Sequence, residues 1–203
     1  MTYELVLDNA KMLANCFEVL PCATQILRPT GTYANTGGGP FGEPTIVGGQ
    51  PVLADSSDAS YVESAQDQFP YTYGLETLGT YLPGSPIALH IRVSVTGGGS
   101  PVDAHGEVFI ATSGGVGNSA DEIGGFSDGN SSGFGFNIPL VDGTIQERVV
   151  SLSMGAWGGN TIDDVVAALQ TGAFLDFNYF DNANWDTPPV IRVYEAWIEV
   201  GCP

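Results

Sequence analysis

Ten residues, Ile87–Thr96, constrain this chain more than any others. Ile87, Leu89, Ile91, Val93 and Val95 alternate there with Ala88, His90, Arg92 and Ser94. In extended backbone successive side chains point to opposite faces, so this order builds one apolar face and one polar face. A helix would scatter the same five apolar residues around its circumference. The stretch is therefore a β-strand, and its apolar side has to lie against a second layer.

Further strands are expected at residues 24–27, 71–78, 107–112, 134–140, 145–153, 173–179 and Val190–Val200, with brief ones at 45–47 and 60–62. The punctuation between them is glycine and proline, 28 and 13 residues, in a chain only 14% charged, which suits short strands joined by tight turns. Arg28-Pro29-Thr30-Gly31 reads as a turn, residues 113–133 as a long loop, and Asp142-Gly143 as a hairpin between 134–140 and 145–153. One helix is expected at about 161–172. Thr161 caps it, Asp163 and Asp164 sit in its first turn, Ile162, Val165, Val166 and Leu169 form its stripe, and Gly172 stops it. Tyr194 and Trp197 alternate to opposite faces of the last strand, which predicts cover on both sides. The fold class that follows is all-β: a jelly-roll-like, two-sheet antiparallel β-sandwich over residues 25–203, with one short helix.

Residues 1–24 read differently, as an N-terminal arm. Leu5 and Leu7 lie in a short β-prone run; Met12, Leu13, Phe17 and Leu20 then recur at helical spacing after Asp8, and Pro21 ends the segment. Such an amphipathic face must lie on its own domain or on a neighbouring subunit.

The 203 residues hold 23 acids against five bases, for a net charge of −18. Binding a phosphate backbone or an anionic bilayer requires fixed positive charge, so nucleic acid and membrane are excluded as direct partners. No apolar run reaches 18 residues and the N-terminus lacks the features of a secretion signal, which points to synthesis in a cytoplasm. Three cysteines, Cys16, Cys22 and Cys202, are too few for a disulfide framework and lack zinc spacing, so buried thiols are the default. A Cys22–Cys202 bridge requires that the first and last strands pair, and a reducing cytoplasm opposes it.

Catalytic motifs are sparse. The two histidines, His90 on a polar strand face and His105 in an expected turn, have no nucleophile elbow to serve. Asp103, Glu107 and Asp176 lie on or beside strands and read as surface groups. The expectation is a protein that is not an enzyme. Asp128, Asn130 and Ser132 repeat the first half of a calcium loop, but the twelfth position is Pro139 where a bidentate Glu is needed; a solvated turn is the simpler reading. No other cofactor is expected. Trp157 and Trp185, the latter beside Asp186, fall in expected loops, where aromatics either anchor a loop, meet a subunit, or stack on a sugar.

Four segments carry a family resemblance: Ile26-Leu27-Arg28-Pro29-Thr30-Gly31, Leu53-Ala54-Asp55-Ser56-Ser57-Asp58-Ala59-Ser60-Tyr61-Val62, Ile87-Ala88-Leu89-His90-Ile91-Arg92-Val93-Ser94-Val95, and Ile191-Arg192-Val193-Tyr194-Glu195-Ala196-Trp197-Ile198-Glu199-Val200. Through them the chain resembles the β-sandwich minor tail proteins of phages infecting actinobacteria. The resemblance implies a non-enzymatic role in the virion, often as an oligomer near the tail tip, in contact with other virion proteins. A capsid decoration or head fibre is the neighbouring alternative. A carbohydrate-binding module for host-wall glycan, using Trp157, Trp185 and Asp186, is the alternative from another class.

Overall fold

The computed structural model describes residues 22–35, 46–47, 50–51, 53–55, 68–96, 104–113, 121–129, 135–140, 142–154, 159–182 and 190–203. They form the strands β1 (Gln25–Leu27), β2 (Pro29–Asn35), β3 (Ile46–Val47), β4 (Gln50–Pro51), β5 (Ala54–Asp55), β6 (Gln68–Leu75), β7 (Ile87–Thr96) and β8 (Ala104–Ala111). After these come β9 (Glu122–Ser127), β10 (Phe136–Ile138), β11 (Gln146–Ser153), the helix α1 (Ile162–Thr171), β12 (Phe174–Asn182) and β13 (Val190–Val200). The described residues are all-β with one short helix, as the sequence pattern requires. No helix among the described residues is long and apolar enough to cross a membrane.

Hydrogen-bonded neighbours run β1-β13-β7-β11-β9-β8-β12-β6-β2, with β10 beside β8 and β5 beside β13. Among the described residues β3 and β4 form a separate two-stranded pair. Named strand pairs among the described residues are antiparallel. Only Arg28 separates β1, on one edge, from β2, on the other, so the path returns to its own start and the sheet is nearly closed. The two layers of the sandwich are thus continuous. Closing a sheet removes unpaired edges, which are sites of unwanted pairing.

β7 supplies the centre. Its five alternating apolar residues are buried, four of them to 0% exposure, and each contributes roughly 2 kcal/mol of transfer free energy. Val193, Ala196, Ile198 and Val200 of β13, Val108 and Ile110 of β8, and Leu175 and Phe177 of β12 meet them in one core. Tyr73 of β6 packs edge-on against Phe177 and donates its hydroxyl to the Leu53 carbonyl beside β5, tying the layers together.

α1 forms where expected. Thr161 Oγ1 accepts from the Asp164 N–H, and the Asp164 carboxylate accepts from the Thr161 N–H at 2.7 Å, which holds that carboxyl below its usual range. Gly172 ends the helix at φ 119°, a left-handed conformation that costs a side chain but not glycine. Val165, Val166 and Leu169 join the core, whereas Ile162 stays 38% exposed.

Four readings are corrected. Residues 113–133 contain β9, a central strand between β8 and β11; its Gly124 leaves the space taken by Leu152 and Val165. Arg28-Pro29-Thr30-Gly31 is no turn: β2 begins at Pro29, whose missing N–H is tolerated at a strand's first residue. Asp142-Gly143 does not join a hairpin, because β10 pairs with β8 and β11 with β7; the Gly143 N–H donates instead to the Val95 carbonyl. His105 lies in β8 and not in a turn.

Candidate functional site

The outward residues of β7, at even positions, stand beside outward residues of β13 and β11. Register places Trp197, His90 and Val149 in one row across three strands. A second row is Glu195, Arg92 and Glu147, and a third is Ile26, Glu199, Ala88 and Ser151. His90 and Trp197 are stacked, centroids 4.9 Å apart and planes 12° apart. Arg28 lies over Trp197 at 5.4 Å. Each histidine ring nitrogen faces a carboxylate, Nδ1 that of Glu147 at 3.4 Å and Nε2 that of Glu199 at 3.3 Å. Glu195 takes Arg28 at 3.2 Å and Arg92 at 3.3 Å. These ion pairs are substantially exposed, so they orient side chains more than they stabilise the fold.

A bulge shapes this face. Between Val193 and Glu195 the register shifts, inserting Tyr194. Glu195, Trp197 and Glu199 therefore point outward while Ala196 and Ile198 point in. The Tyr194 hydroxyl lies 3.1 Å from Ser94 Oγ, a residue with the outward parity of His90 and Arg92. Tyr194 and Trp197 thus serve the same face, against the expectation from strict alternation; a bulge restarts the alternation.

The outer face of β9, β8, β12 and β6 is different in kind. Asp176 and Thr72 are 0% exposed, Phe109 1% and Glu122 2%, although their register sets them opposite the core-facing Leu175, Tyr73 and Ile110. Asp176 Oδ1 accepts from the Thr72 hydroxyl at 3.5 Å, and Asp176 Oδ2 has no hydrogen-bond partner among the described residues. Burial, reinforced by the Glu122 charge, pushes the Asp176 carboxyl up to about 7. Burial and the Glu107 charge do the same to Glu122. Asp176 is therefore no surface group, and nothing in the local sequence singles out Glu122. Raised carboxyls are what acid–base chemistry calls for, and here both are withdrawn from bulk solvent.

The other expected site residues divide. Asp128 is described: its Oδ2 accepts the Asn137 N–H at 2.9 Å and faces Arg148 at 3.7 Å, so that carboxylate fastens β10 and β11 together. Asn130, Ser132, Trp157, Trp185 and Asp186 lie outside the described residues, as do Leu5, Leu7, Met12, Leu13, Phe17 and Leu20 of the arm. Among the described residues no group of three or more His, Cys, Asp or Glu could hold a metal ion.

Cys22 and Cys202 form a disulfide, Cα atoms 5.7 Å apart, and both residues are exposed. The condition set by the sequence is met, because Gln25 of β1 pairs with Val200 of β13. The default of buried thiols is overturned for these two. Beside the bridge lies a 360 Å³ cavity with uncharged walls, including Gln25, Thr80, Leu82 and Ser85. No protein-family model, no curated protein and no solved structure matches the chain.

Proposed function

We propose that this chain is a non-enzymatic bacteriophage virion protein, a minor tail protein that works through protein contacts near the tail tip. The main support is where the four resembling segments fall in the fold. Residues 26–31 begin at β1, 53–62 contain β5, 87–95 are β7 and 191–200 are β13. β1 and β5 both pair with β13, and β13 pairs with β7, so the segments are neighbours in one part of the sheet. Three of them supply Arg28, His90, Arg92, Glu195 and Trp197 to the open face. A tryptophan and arginines within a polar rim are the composition of protein interfaces. His90 stacks on Trp197 and Arg28 lies over its ring, so the indole is engaged within the chain.

The test is antibody labelling of purified phage particles carrying an epitope-tagged copy of the chain. Label at the tail tip is expected. Label on the capsid would move the protein to the decoration class, and its absence from particles would end the virion reading.

A further inference from the structure

We infer that the outer face of β1, β13, β7 and β11 is where two copies of this chain pair, with their Trp197–His90–Val149 rows meeting at the centre. This rests on the contact reading above and names the partner. Only five Lys and Arg residues exist in the chain, against 23 acids. Three of the five, Arg28, Arg92 and Arg192, belong to this face: Arg28 reaches Glu195, Arg92 pairs with Glu195 in register, and Arg192 pairs with Ser94. Glu147, Glu195 and Glu199 lie among them.

Self-pairing needs both signs of charge on one patch, so that cations of one copy oppose acids of the other. Of the remaining two bases, Arg148 faces Asp128 and Lys11 lies in the arm. Among the described residues away from this face, Glu76, Glu107, Asp121, Asp142, Asp163 and Asp164 are acids at least partly exposed, and two copies meeting over them would set carboxylate against carboxylate. The apolar centre is also open: Val149 is 58% and Ile26 44% exposed on strands that could have carried polar groups. Strands of three, eight, ten and eleven residues, at about 3.3 Å per residue and about 4.8 Å apart, give a face of roughly 500 Å², the size of a weak, reversible interface.

Light scattering over a concentration series is the test. The purified chain is expected to be a dimer, and Val149→Asp, at an exposed position, should raise its dissociation constant at least about 30-fold. Should Val149→Asp fail to fold, a charge swap replaces it. Arg92→Glu and Glu147→Arg should each weaken the dimer when alone and restore it when mixed. A wild-type monomer throughout, or an oligomer indifferent to these changes, overturns the inference. Particle labelling reads the contact role independently, so a monomer that still enters particles would overturn only the pairing.

Discussion

The outer faces of β11-β7-β13-β1 and of β9-β8-β12-β6 belong to one sheet and obey the same alternation, yet they meet opposite environments. On the first, Arg92 and Glu195 remain about 40% exposed and pair through water-accessible contacts. On the second, Asp176 is wholly buried, and its carboxyl responds by holding its proton to about 7. Alternation determines which side of a strand a residue takes. Whether that side is wet depends on what else the chain lays over it.

The contrast can be broken most forcefully by truncation. Phe109→Ala, on the buried outer face, should cost about 3–5 kcal/mol, whereas Val149→Ala, on the open one, should stay within about 0.5 kcal/mol. Urea denaturation of dilute protein measures both, and equal losses would mean that the two faces do not differ.

An effect of comparable size is expected from pH. The folded chain binds protons at Asp176 and Glu122 more tightly than the unfolded chain does, because both carboxyls are raised. Their contribution is therefore fully present below the ordinary carboxyl range near pH 4 and is lost as pH rises toward 7. Each tenfold gain in proton affinity is worth about 1.4 kcal/mol, so carboxyls raised to about 7 from 3.8 and 4.5 put the loss for the coupled pair on the order of several kcal/mol. Denaturation midpoints at pH 5 and pH 8 should show it, and Asp176→Asn with Glu122→Gln should flatten it. A wild-type midpoint that rises over that interval would contradict the assignment.

The smallest effect belongs to the open face. A double-mutant cycle on Arg28→Ala and Trp197→Ala should give a coupling of about 0.5–1 kcal/mol, the ordinary worth of an exposed cation–π pair. A coupling indistinguishable from zero would mean that Arg28 merely passes over the ring.

Where local pattern and tertiary setting agree, the residues are legible in advance. Ile87–Thr96, Val190–Val200 and the Thr161-capped helix fall where alternation and capping chemistry put them. The failures share a cause, since each depends on a distant neighbour. Glu122-Ile123-Gly124-Gly125-Phe126-Ser127 resembles a loop until Leu152 and Val165 claim the space a side chain at Gly124 would fill. Arg28-Pro29 resembles a turn until its flanks pair with β13 and β6. Asp176 resembles any surface acid until its outer face is covered. At the open face, the outward placement of His90 was legible, but its stacking on Trp197 required the Tyr194 bulge, which no periodicity announces.

The Cys22–Cys202 bridge has a mechanical consequence. It spans 180 positions, so every described strand lies inside its loop. A pull on the residues before Cys22 would otherwise load β1 first, and a three-residue ladder peels one bond at a time. The sulfur–sulfur bond routes that load around β1 to Cys202 and into β13, whose ten register partners on β7 share it. A load applied ahead of Cys22 would in this way be held long after an unbridged edge strand had torn free.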